Sequence, residues 1–414
     1  MCATPTDVRH TRFFFVSVCP KSNAVTAIRL FLIFSKPAGW FFIVILHQII
    51  LNFNLMKFSK RFFIALLSAV SLLSCSSKDE DVKELPSLPD EPSTEQPAPT
   101  PGSTGKIVVG YVTSWSSNEV KPEYVTHINY AFGHVQGSFR NIGIDNVERL
   151  KYVVSLKKNA PHLKVLLSIG GWGSGNFSEM AADPENRLAF AKDCRRVIDE
   201  YDLDGIDIDW EFPTSGAAGI SSSPDDTRNY TLMMSDIRDA IGHAKLLTLA
   251  SVCSADYIDF KDIMPYVDFV NIMTYDMENP PRHNAPLYQS STHGGWINCD
   301  KAVKSHLDKG VPASKLVFGM PFYGHGLDIY DQFTDFKDVK VPAGYTNCWD
   351  AEAMVPYVTD KNGRFVLSYD NARSIGLKCD YIIEHGLRGA MFWDDAGDDS
   401  NATLHKAIAD KLFK

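Results

Sequence analysis

Between residues 107 and 393 the chain repeats one pattern eight times. A short apolar run rich in β-formers is followed, in most cases, by a stretch whose apolar residues recur at helical spacing. The runs are 107–112, 126–132, 163–169, 203–209, 246–252, 268–274, 316–321 and 388–393. Leu188, Ala191, Cys194, Ile198 and Tyr201 fall three or four apart, as do Tyr230, Met233, Ile237 and Ile241, and finally Leu404, Ile408 and Leu412. Apolar strands alternating with amphipathic helices need a parallel sheet covered by those helices. Eight such units within 106–414 predict an α/β fold, a (β/α)8 TIM barrel, with a short insertion between strands seven and eight.

The residues before this region have another character. Residues 1–78 hold nine basic residues and the single acid Asp7, although the whole chain has a formal charge of −9. Met56-Lys57-Phe58-Ser59-Lys60-Arg61 has the form of a basic export leader, and the apolar run 62–73 is too short to span a bilayer. Leu72-Leu73-Ser74-Cys75 resembles the lipobox of bacterial lipoproteins, which implies lipidation at Cys75, a membrane anchor and exposure at the outer membrane surface. Residues 1–55 are expected to be an upstream mis-start, with Met56 as the initiator. Residues 76–105 carry six prolines among Ser, Thr and acids and are expected to form an extended linker.

Composition narrows the function. A hydrophobic fraction of 45% and a charged fraction of 22% describe a globular chain, and the acidic balance argues against a nucleic-acid partner. Five cysteines follow the linker without CxxC spacing, so neither a disulfide framework nor a zinc site is expected.

The most informative residues are Asp207, Asp209 and Glu211, which alternate at the end of the fourth run. Alternate residues of a strand share one face, so the three acids line up. Crowded carboxylates resist joint ionisation, which raises the pKa of one member, and Glu211 at the rim is the natural general acid. The residue pattern alone leaves a divalent-cation site open as the other reading.

Asp204-x-x-Asp207-x-Asp209-x-Glu211 resembles the DxxDxDxE signature of glycosyl hydrolase family 18, the chitinase family. Ser168-Ile169-Gly170-Gly171-Trp172, Met273-Thr274-Tyr275-Asp276 and Trp393 resemble its motifs on strands three, six and eight, and Gly110-Tyr111 and Ala131-Phe132 also fit, all in family order. The resemblance implies retaining, substrate-assisted hydrolysis of β-1,4-linked N-acetylglucosamine polymers without any cofactor. In that scheme Glu211 is acid and then base. Asp209 holds the substrate acetamide, Tyr275 donates to its oxygen, and Asp207 tunes Asp209. Trp393 forms the sugar floor, with Tyr111, Phe132, Trp172, Met273, Asp276, Gly171, Phe212 and Tyr323 as further substrate contacts. Phe132 and Met273 could equally be packing residues. Ser168 and Asp204 support the acids from behind. A monomer is expected.

Some residues depart from the family pattern. Phe212 stands where Tyr is common, His325 where Arg is common, and Met277-Glu278-Asn279-Pro280-Pro281 lacks the tryptophan that often stacks a downstream sugar. The segment 327–367 is shorter than the wall of some members, which implies a more open cleft. Two other functions remain: an endo-β-N-acetylglucosaminidase acting on N-glycan cores, and a non-catalytic glycan-binding lipoprotein.

Overall fold

The structure, a computed structural model, describes residues 100–414. The basic leader, Cys75 and most of the proline-rich stretch lie outside the described residues. Residues 100–105 form turns, and the Ser103 and Thr104 hydroxyls donate to the carbonyls of Phe413 and Leu412 at the C-terminus.

The strands in chain order are β1 (Ile107–Thr113), β2 (His127–Val135), β3 (Ile142–Ile144), β4 (Lys164–Gly170), β5 (Gly205–Asp209), β6 (Leu246–Val252), β7 (Phe269–Met273), β8 (Leu316–Pro321), β9 (Tyr323–Gly326), β10 (Thr334–Asp335), β11 (Thr346–Asp350), β12 (Val355–Thr359), β13 (Phe365–Ser368) and β14 (Gly389–Trp393). Eight of them form a parallel ring in the order β1-β14-β8-β7-β6-β5-β4-β2. Pairing of β1 with β2 closes it, with Val109 opposite His127 and Thr113 opposite Ala131. Each expected run coincides with a ring strand, so the (β/α)8 barrel is the fold. β3 adds antiparallel to the end of β2.

The helices are α1 (Val147–Ser155), α2 (Phe177–Ala182), α3 (Pro184–Tyr201), α4 (Asp226–Ile241), α5 (Phe260–Ile263), α6 (Cys299–Asp308), α7 (Ala372–Glu384) and α8 (Thr403–Leu412). α3 shows how the sequence sets a boundary. The Asp183 side chain accepts from the Asn186 amide, Pro184 occupies the first turn, and Asp202 ends the helix in a left-handed conformation. Its buried stripe includes Arg187, Ala191, Cys194 and Ile198. Leu188, expected on that face, is 51% exposed instead. One residue further on is a rotation of about 100°, which carries it off the stripe.

Alternation along β1 divides the core. Ile107, Val109 and Tyr111 join a cluster with Val317 and Met391, while Val108 and Val112 join the larger cluster that contains Leu404 and Ile408 of α8. Each fully buried aliphatic or aromatic side chain contributes about 1.5–3 kcal/mol.

The insertion between β8 and β14 holds a five-stranded antiparallel sheet in the order β10-β9-β13-β12-β11. Its own core comprises Tyr330, Val358, Val366, Leu367 and Tyr369. Though short, it walls the C-terminal mouth of the barrel.

Candidate active site

A cavity of about 820 Å³ opens at the ends of the ring strands. It is lined by Tyr111, Phe132, Trp172, Asp209, Glu211, Phe212, Met273, Tyr275, Asp276, Tyr323 and Trp393, all expected at the site. The lining also includes Trp115, Trp296, His325, Phe333, Asp335 and Asp394.

β5 sets the acids. Its alternation sends Trp210 outward, where it stacks on Phe177 of α2 with centroids 5.3 Å apart at 13°. Asp207 faces inward and is fully buried. It accepts hydrogen bonds from Tyr111 Oη (2.8 Å), Ser168 Oγ (2.8 Å), Thr248 Oγ1 (2.5 Å) and Asn271 Nδ2 (3.2 Å). Burial pushes the Asp207 carboxyl up, and these four donors pull against it. A carboxylate has about four acceptor positions, so these four donors fill Asp207.

Asp209 differs: it is buried, and its Oδ1 has no hydrogen-bond partner. Burial raises its pKa well above the ordinary value, and the charges of Glu211 and Asp207 raise it further. Within the acid row, Asp209 is the carboxyl pushed up with no hydrogen-bond donor opposing the push. Glu211 lies just beyond the strand in a bend. Burial, then the charge of Asp276, pushes its carboxyl up to about 7, which suits a proton donor near neutrality.

Aromatic residues form the floor. Trp393 lies 5.6 Å from Phe132 with rings at 22°, and 5.5 Å from Tyr111. Trp115 stands 6.3 Å from Trp393. Burial first, then Asp209 and Asp276, raises the Tyr275 pKa well above its ordinary value, so its hydroxyl stays a neutral donor. Phe212 stacks on Tyr257 with centroids 5.3 Å apart at 12°.

Besides the buried Asp207, three expected residues do not line the cavity. Gly171 (φ +89°) lies behind Phe132, where an added Cβ would come within 2.6 Å of the ring; it shapes the wall by close approach. Ser168 supports Asp207, as expected. Asp204 sits at the other end of β5. Burial pushes it up, but the Val165 amide and the Lys157 and Lys164 ammonium groups hold it below the usual carboxylate range.

His325 is buried and spends both ring nitrogens on the protein: Nε2 lies 2.8 Å from Asp276 Oδ1, and Nδ1 lies 2.8 Å from the Glu278 carbonyl. Tyr323 Oη donates to the same Asp276 oxygen at 2.6 Å. His325 thus places Asp276. Thr248, Asn271 and Trp296 were missed from the sequence. The first two are polar residues at inward positions of apolar runs, a signal that was present. Trp296 follows Gly294-Gly295 in a polar loop, where an isolated indole is out of place.

A proton donor poised near neutrality, buried acids behind it and a broad indole floor meet the needs of glycosidic-bond hydrolysis, in which a leaving oxygen is protonated while a sugar ring is held flat. The fold and site thus define a barrel glycosidase. Residues 107–398 match the family model described as Glycosyl hydrolases family 18. Chitinase A1 of Niallia circulans is 32% identical over 76% of this chain, and Chitotriosidase-1 of Mus musculus is 32% identical over 70%. The chain spans 60% of the first protein's length and 73% of the second's. A solved family 18 N-acetylglucosaminidase from Paenibacillus barengoltzii superposes with a TM-score of 0.67 at 34% identity, covering 74% of this chain and 99% of that one. The chain belongs to glycosyl hydrolase family 18.

Proposed function

We propose that this chain cleaves β-1,4-linked N-acetylglucosamine polymers, chitin or chito-oligosaccharides, by a retaining mechanism in which the substrate supplies the nucleophile. The observation that carries this reading is the buried, partnerless Asp209 between the filled Asp207 and the poised Glu211. Asp209 is suited to grip an acetamide N–H and turn its carbonyl toward the anomeric carbon. Glu211 protonates the leaving oxygen as the carbonyl attacks, and the C–O bond breaks to leave an oxazolinium ion. Tyr275 donates to the acetamide oxygen, and Trp393 supports the distorted ring. Glu211 then takes a proton from water, which opens the oxazolinium with net retention.

A second reading, endo-β-N-acetylglucosaminidase action on N-glycan cores, is favoured by the likeness to the N-acetylglucosaminidase. Incubation with chito-oligosaccharides and a high-mannose glycoprotein in parallel separates the two. Release of β-configured products from the oligosaccharides alone supports the proposal, and release from the glycoprotein alone overturns it. Binding to chitin with no rate difference between wild type and Glu211→Gln supports the non-catalytic alternative.

We further propose export as a monomeric lipoprotein anchored through Cys75. Fatty-acid labelling that survives Cys75→Ser overturns the anchor.

A further inference from the structure

Three buried ionisable side chains sit just behind the floor, and the proposed mechanism uses none of them. Asp395 and Asp398 follow Trp393 by two and five residues, and His405 lies in the first turn of α8. His405 Nε2 lies 3.0 Å from Asp395 Oδ1, and its Nδ1 lies 2.6 Å from Asp398 Oδ2. Asp398 also accepts from the Leu404 and His405 amides, at 3.1 and 3.0 Å. The imidazole stands at 76° to both Phe322 and Phe392, with centroids 5.1 and 4.9 Å away. Burying ionisable groups is costly unless each finds its partners, so the segment after β14 is pinned where these partners meet.

What the cluster pins is the floor. The Trp393 carbonyl accepts from the Phe322 amide at 2.8 Å, and two residues later Asp395 is tied to α8. Asp395 has a second arm. Its Oδ2 accepts from Asn118 Nδ2 at 2.5 Å. Asn118 stands three residues after Trp115, in the loop after β1, and Arg149 of α1 donates to its carbonyl at 2.8 Å and its Oδ1 at 3.2 Å. One Asp395 oxygen thus holds α8 and the other holds the Trp115 loop. Trp115 and Trp393 both line the cavity, with centroids 6.3 Å apart. Trp115 is 66% exposed, so its own packing does not fix it and the anchored loop must. Among the described residues, His405 alone bonds both acids through its side chain.

We propose that His405 is a positioning residue: through Asp395 it holds Trp393 and the Trp115 loop in the mutual arrangement that grips a sugar. This rests on the proposed hydrolysis of N-acetylglucosamine polymers, in which Trp393 supports the distorted ring. Glu211 follows β5, across the ring from β14, so its proton transfer does not depend on this anchor. The anchor therefore acts on binding more than on turnover.

The test is steady-state hydrolysis of chitohexaose by wild type, Asn118→Ala, His405→Gln and the double variant, each checked for intact fold by circular dichroism. Each single variant is expected to raise KM roughly three- to tenfold, with kcat within about a factor of two of wild type. Both act through Asp395, so the double variant is expected to exceed the stronger single one only slightly. Ile408→Val, which loosens α8 in the core without touching these bonds, is expected to leave KM unchanged. Asn118→Ala breaks only the outer arm and leaves the buried cluster in place, so it tests the anchor even where His405→Gln fails to fold. Unchanged KM in a folded single variant, or an equal rise in Ile408→Val, overturns this inference alone. Failure of wild type to cleave chitohexaose overturns the proposed function and this inference with it.

Discussion

The Tyr111 hydroxyl donates to Asp207 Oδ2 at 2.8 Å, from β1 across the barrel to β5. This bond is one of four that oppose the upward push burial gives the Asp207 carboxyl, whereas Asp209 has no such donor. Tyr111→Phe removes one of four donors to a buried charge. The expected cost is about 1.5–3 kcal/mol of stability, read by urea denaturation, together with a lower kcat.

Glu211 is both acid and base in the proposed cycle. Glu211→Gln preserves shape and removes the proton. The expected outcome is a fall in kcat of roughly 10²- to 10⁴-fold with KM little changed and the fold intact.

The pH profile follows from the same residue. Glu211 must be protonated to act, and its pKa is pushed up to about 7 by burial and then by Asp276. Activity is therefore expected to fall as pH rises through about 7. Asp276→Asn removes the neighbouring negative charge, so the alkaline limb should move to lower pH; a limb that stays in place contradicts this cause.

Stability has a separate alkaline limit behind the floor. Burial alone would lower the His405 pKa, but Asp395 and Asp398, at 3.0 and 2.6 Å from its ring nitrogens, raise it to about 9. The unfolded value is about 6.5, so the contribution is complete below that and lost as pH rises through about 9. It amounts to about 3 kcal/mol, and His405→Gln should flatten the decline in melting temperature between those pH values.

Much of this was legible in the sequence. The eight apolar runs gave the ring because strands buried on both faces cannot hide their composition. The acid row gave the centre because three carboxylates at period two in an apolar strand must crowd one face, where their charges can persist only by sharing protons or holding a cation. What was not legible depends on contacts between distant segments. The bond from His325 to Asp276 joins the insertion to the loop after β7, and Trp296 reaches the cavity only through the folding of a glycine-containing loop. Three cis peptide bonds, Ala131–Phe132, Glu211–Phe212 and Trp393–Asp394, carry no residue signal at all. Leu188 shows the limit of spacing alone, since a residue three positions from a buried one can still lie off the buried stripe.

The central claim is that the substrate amide, and no protein carboxylate, attacks the anomeric carbon. Two aryl β-chitobiosides test it: one natural, and one with a hydroxyl in place of the acetamido group on the sugar next to the aryl group. Rapid aryl release from the first and essentially none from the second is the expected result. Release at comparable rates from both contradicts the claim.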